Sequence, residues 1–195
     1  MKNINNQWLD IEYLQSGDQV QAEVYQLLSK HKILQLLQRY KPILVGTVPI
    51  GINIDTSDLD IICEVKDFVE FERLVKELFN DQHGFTISRK VVEGIERITV
   101  NFQVEDWPIE IFGQNKPTTL QNGFLHMIIE DRMLNMYGKK FKERIIQLKS
   151  EGLKTEPAFA KALNLLGNPY LKLLELMDWT KEQLRVLWKD SDDIA

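Results

Sequence analysis

Disulfides are excluded first: among 195 residues there is a single cysteine, Cys63. A lone thiol has no internal partner, and its apolar neighbours make it a small core residue before they make it a nucleophile. Long apolar runs are missing too. Stretches such as "ILVG" and "LDIIC" fall far short of the ~20 residues that a membrane-spanning helix needs. The opening "MKNINNQWLD" has neither an apolar segment nor a cleavage site, so no signal peptide is expected and the chain is read as cytoplasmic, with no membrane partner. An excess of positive charge is also absent: 24 Lys and Arg stand against 29 Asp and Glu, a net charge of −5. Proteins that grip long nucleic acids gather a basic face, and here only "YGKKFKER" at 137–144 concentrates such residues. The expected substrate is therefore small or locally recognised, not a long nucleic acid. No repeat, low-complexity tract or linker stands out. The remaining composition, 44% hydrophobic and 27% charged, is that of an ordinary globular protein, and the length suits one domain, or one domain with a helical appendage.

Apolar spacing then divides the chain. Val20, Val24, Leu27 and Leu28 form one helical stripe, and Ile33, Leu36 and Leu37 another, before Pro42 ends the pattern. Strands are expected near 42–46 and 58–65, and the segment from Lys66 to Gly84 is an amphipathic helix with Gly84 at its C-terminal cap. "FTISRKVV" and "IERITVNFQV" read as a hairpin about "EG", and "WPIEIFG" as a short strand. From residue 119 the pattern is helical to the end, broken at Gly138, Gly152, Asn168–Pro169 and the "DWT" cap before Lys181. This order predicts an α+β fold: a mixed sheet with N-terminal helices over 1–118, and a helical part over 119–195 packed with it as one unit.

The strand at 58–65 poses a problem. Asp58 and Asp60 flank Leu59, so alternation turns both carboxylates to one face. At ~4 Å they would repel by about 4 kcal/mol at an effective dielectric of 20. Water, an arginine or a cation must offset that. Glu110, between Ile109 and Ile111, lies on the face opposite the core and can join them. Three acids on one sheet face suit a hard cation, Mg²⁺ or Mn²⁺, which also binds phosphates. Upstream, Gly46 permits close backbone approach and Thr47 offers a hydroxyl and an N–H to a phosphate.

These residues resemble the nucleotidyltransferase (polymerase-β-like) signature. Val45, Gly46 and Thr47 are followed by ten residues, Val48 to Ser57, then by Asp58, Leu59, Asp60 and Ile61, with Glu110 in the place of a third acid on a later strand. Thr47 stands where the superfamily has Ser or Gly, and Glu110 where it has Asp. More narrowly, "GTVPIGINIDTSDLDIICEV", "WPIEIFG", "HMIIEDR" and "GLKTEPAFA" resemble DUF4269, a bacterial family of unknown function. The resemblance implies a metal-dependent transfer of a nucleoside monophosphate from a nucleoside triphosphate to an acceptor hydroxyl. It implies Asp58, Asp60 and Glu110 as catalytic and metal-holding residues. Gly46, Thr47, Ser57 and, from the basic segment, Lys139 would bind the nucleotide, and the helical part would shape an acceptor pocket for a small molecule or a protein side chain.

Two alternatives stay open: a catalytically silent nucleotide-binding or interaction module, and a toxin-neutralising nucleotidyltransferase acting on a protein or transfer RNA. Asp–x–Asp also occurs in glycosyltransferases, but after a longer parallel sheet, and in dehalogenase-type phosphatases, where a threonine follows and this chain has Ile62. His126 and Glu130, four apart on a helix, read as a helix-face ion pair or hydrogen bond ahead of a metal site. Leu125, Ile129, Met133 and Met136 read as its core stripe.

Overall fold

The structure, a computed structural model, describes residues 6–188, which fall into two compact units. The first comprises Met1–Gly51 and Ser57–Phe124, and the second Ile52–Thr56 and Leu125–Ala195.

The first unit is built on one five-stranded mixed sheet. β1 (Ile43–Val45), β2 (Leu59–Glu64), β3 (His83–Val92), β4 (Ile95–Val104) and β5 (Trp107–Gln114) lie in the order β1-β2-β5-β4-β3. Only β2 and β5 are parallel; the other neighbours are antiparallel. A parallel pair needs a crossover, and here it contains helix α3 (Phe68–Phe79) and the β3–β4 hairpin. The hairpin turns at Glu93 and Gly94, both with positive φ (52° and 75°), as a two-residue turn matched to strand twist requires.

Alternation decides the faces. Leu59, Ile61 and Cys63 of β2 are fully buried beside Ile98, Val100, Ile109 and Ile111. Helices α1 (Gln19–Lys30) and α3 add Val24, Leu27, Leu28, Phe71 and Val75 to the same core, and Phe79 stacks on Phe102 at 4.6 Å between ring centroids. Cys63 is thus a core residue, its thiol pushed far up by burial. The other face carries Asp60 and Glu110.

Within residues 6–188 the expected elements form, with four local differences; the end of the helical pattern expected to run to 195 lies outside the described residues. The helix α1 ends at Lys30, where Lys32 takes a left-handed φ of 54°, and the short α2 (Ile33–Leu36) follows with Ile33 and Leu37 buried but Leu36 exposed. Gly84 does not cap α3, because Asn80 does; Gly84, with φ +69°, lies inside β3 at a register shift between His83 and Thr86. Asp58 lies outside the strand it was expected to open. Pairing begins at Leu59–Ile109, and the next residue opposite Asp58 would be Pro108, which has no N–H to extend a ladder. Finally, the start of α4 (Asn122–Tyr137) is not a simple stripe: Phe124, His126 and Met127 are buried while Leu125 is half-buried.

The second unit is helical. After α4 come α5 (Lys139–Ser150), α6 (Thr155–Ala162), α7 (Pro169–Glu175) and α8 (Lys181–Arg185), with Gly138 (φ +77°) separating the first two. Phe141 meets Tyr137, Phe159 and Trp188 edge-on at 4.8, 5.6 and 4.9 Å. Tyr137 donates from Oη to the Leu184 carbonyl at 2.6 Å. The cap expected at "DWT" before Lys181 forms, as a capping box between Thr180 and Gln183. Among the described residues no helix is long and apolar enough to cross a membrane.

Candidate functional site

One row across the first unit's sheet carries the acids. Val45, Asp60, Glu110 and Asn101 are successive partners on β1, β2, β5 and β4, so their side chains share a face. Asp60 and Glu110, half-buried, are therefore neighbours by register. Asp58 stands exposed on the segment just before β2. Gly46 follows β1 with φ +82°, and a Cβ there would lie 2.4 Å from Asp60 Oδ2. The Asp60 carboxylate fills the space that any side chain at 46 would need.

The ten-residue spacer opens with a hydrogen-bonded turn. Val48, Pro49, Ile50 and Ile52 are buried, and the Gly51 N–H donates to the Val48 carbonyl at 3.0 Å, closing a turn with Pro49 at its favoured second position. The Thr47 hydroxyl donates to Ser57 Oγ at 3.2 Å, joining the two ends of the spacer. Gln21 of α1 donates through Nε2 to both the Val48 and the Pro49 carbonyls at 2.9 Å. Thr47, Ser57, Asp60 and Gly46 are thus brought together in one unit.

A divalent ion is implied by the resemblance. Among the described residues no three His, Cys, Asp or Glu side chains form a group able to hold one. The two registered carboxylates fit a Mg²⁺ ion, which is commonly held by one or two carboxylates, with water and substrate phosphate completing its shell. Lys139 belongs to the second unit, where it opens α5, is exposed, and lies 3.7 Å from Glu143 Oε1.

Within the second unit lies a buried charged cluster that the sequence showed only in part. His126 pairs with Glu156, not with Glu130: its Nδ1 is 3.2 Å from Glu156 Oε1, and its Nε2 is 2.9 Å from the Tyr170 carbonyl. A carbonyl only accepts, so Nε2 carries a hydrogen, and a Glu156 carboxylate calls for one on Nδ1 as well. Burial opposes that charge, but the two acceptors outweigh it and the imidazole is held above its ordinary value. Burial also works against the Glu156 carboxylate, yet His126 draws it below its ordinary range. Glu130, buried at 3% exposure, is pushed up to about 8 by burial and by the nearby Glu156 charge, with His126 and Lys149 opposing. Its Oε1 has no hydrogen-bond partner. Lys149, at 5% exposure, donates to the Ile52 carbonyl at 2.6 Å. No sequence signal separates that lysine from a solvated one, whereas Asp18-x-x-Gln21 is readable as a capping box.

The solved structures that resemble this chain carry the nucleotidyltransferase fold. The polymerase core of the RNA surveillance complex TRAMP is 13% identical over 91% of this chain and 60% of its own, with a TM-score of 0.51. The Cid1 poly(U) polymerase, solved with magnesium and 3′-dATP, is 13% identical over 84% of this chain and 52% of its own, also at 0.51. The chain spans about half the length of the structures it matches. The sheet order and the helices are thus those of a nucleotidyltransferase-type α+β fold. Residues 26–176 match the family described as a domain of unknown function, DUF4269, and the chain belongs to that family. No curated protein matches it.

Proposed function

We propose that the protein is a metal-dependent nucleotidyltransferase, moving a nucleoside monophosphate from a nucleoside triphosphate to an acceptor hydroxyl. The observation that carries this reading is Asp60 paired in register with Glu110 beside Gly46. The metal-bound triphosphate of the poly(U) polymerase supplies the ligand class.

Asp60 and Glu110 would hold the ion, and Asp58, exposed on the segment before β2, would join them by moving toward the pair. When bound, the ion supplies Lewis-acid neutralisation of phosphate charge. Glu110 takes the proton of the acceptor hydroxyl, whose oxygen forms a bond to the α-phosphorus as the α–β bond breaks and pyrophosphate leaves. Gly46, Thr47 and Ser57 hold the outgoing phosphates. The acidic balance favours a small molecule or a protein side chain as acceptor.

The test is a melting series with Mg²⁺ and each of the four ribonucleoside triphosphates, paired with pyrophosphate release. A ligand that binds only the native state raises the melting temperature by mass action. The rise should need both components and vanish in Asp60→Asn and Glu110→Gln variants that still fold. No rise with any triphosphate refutes the proposal. A second reading, nucleotide binding without turnover, is favoured by the position of Asp58 outside the strand. A metal-dependent rise with no pyrophosphate from any acceptor pool would select it.

A further inference from the structure

Gln21 uses its amide in two directions at once. As the third residue of α1 it closes the capping box: Asp18 Oδ1 accepts from the Gln21 N–H, and Gln21 Oε1 accepts from the Asp18 N–H, both at 3.0 Å. The Nε2 group then donates both of its hydrogens to consecutive carbonyls, those of Val48 and Pro49. The orientation is determined, because exchanging O and N would break the accepted bond and both donated ones. Gly17 makes room for it: a Cβ there would fall 2.0 Å from Gln21 Oε1.

We infer that Gln21 is a positioning residue for the nucleotide phosphates, acting through the loop that begins at Gly46. This rests on the reading of Gly46, Thr47 and Ser57 as the phosphate-holding elements. Val48 and Pro49 immediately follow Thr47 and are buried; the Val48 carbonyl accepts from the Gly51 N–H as well as from Gln21, and the Pro49 carbonyl accepts from Gln21. Drawing both oxygens to α1 does more than satisfy them. A carbonyl turned toward a triphosphate repels it, while an N–H attracts it. All peptide bonds among the described residues are trans, so the Ile50 N–H points opposite the Pro49 carbonyl and away from Gln21. The side-chain amide thereby fixes which way the Val48–Pro49 and Pro49–Ile50 peptide planes face, directly after the Thr47 that reaches Ser57. A helix cap and a phosphate loop share one residue.

Two variants of the full chain test this. Gln21→Glu keeps a favoured residue for the capping box but removes both donors. Gln21→Met removes them without adding charge. Hydrogen exchange of the Thr47, Val48, Ile50 and Gly51 amides should quicken in both, while exchange in the body of α1 and α3 stays as in the parent. The affinity for Mg²⁺ with the triphosphate the parent binds should fall about tenfold or more, on the scale of one to two lost hydrogen bonds. Parent-like loop exchange and parent-like affinity in both variants overturn the inference. A parent protein that binds no triphosphate overturns the proposed function instead, and the exchange data then show separately whether Gln21 holds the loop. Faster exchange throughout the first unit would make Gln21 a general stability residue and also overturn it.

Discussion

Glu130→Gln should stabilise the protein, and the gain should grow with pH. The carboxyl is buried among His126 on its own helix, Lys149 on α5 and Glu156 on α6, and it moves from 4.5 in an open chain up to about 8. Between those values the native state holds a proton that the unfolded state has released. Folding therefore takes up a proton, and stability falls as pH rises from 4.5 toward 8. At ~1.4 kcal/mol per pH unit, the interval from 4.5 to pH 7 amounts to about 3 kcal/mol. Glutamine keeps the shape and stays neutral, so it removes this loss. For a chain of this size the upper limit corresponds to roughly 6–12 °C in melting temperature at pH 7. His126 also has a raised value, so its contribution is present below its ordinary 6.5 and is lost as pH rises through its folded value. That loss runs in the same direction in parent and variant and largely cancels in their difference. The assay is thermal or urea unfolding of both proteins at half-unit steps from pH 5 to 9. The difference should be small at pH 5, widen to about pH 8 and then level off. A variant that is less stable by a constant amount across the range would refute the reasoning, because it would mean an ionised, well-paired Glu130.

Three further outcomes follow from neighbouring geometry. Gly46→Ala forces a Cβ to 2.4 Å from Asp60 Oδ2 at a left-handed φ, so it should cost about 1–2 kcal/mol from backbone strain alone and abolish the Mg²⁺–triphosphate melting shift. Lys149→Met leaves the buried Ile52 carbonyl without its donor and should lower stability in urea by about 1–3 kcal/mol. Asp58→Asn, at an exposed position, should leave the metal-free melting temperature within about 2 °C of the parent. If Asp58→Asn unfolds the protein, the carboxylate is structural and its metal-holding part is wrong.

What could be read from the chain alone tracks the range of the interaction. Local chemistry was legible: the Glu93–Gly94 turn, the apolar alternation of β2, β4 and β5, and the helix breaks at Gly138 and Pro169 each follow from residues close in sequence. That Asp60 and Glu110 share a face was legible because alternation fixes a side chain's face before its partner strand is known. The boundary at Asp58 was not, since it is set by Pro108 some fifty residues away. Gly84 carried the right signal, a positive φ, but the wrong place, because a bulge and a helix cap ask for the same residue. The ion pair of His126 went to Glu156 on another helix, and spacing along α4 could not disclose that competitor. Lys149 is the extreme case: its partner is a backbone carbonyl 97 residues distant.

The closeness of Gly46 to the Asp60 carboxylate bears on how this family can diverge. The two positions cannot vary independently, because a side chain at 46 and a carboxylate at 60 claim the same volume. A lineage that lost the glycine first would strain its own acid, whereas one that lost the acid first would be released from the steric bar at 46. Relatives with a larger residue at 46 should then have a shorter or uncharged residue at 60. Glycine at 46 thus answers two demands at once, the left-handed φ and the carboxylate at 60, and a relative that loses it has to meet both.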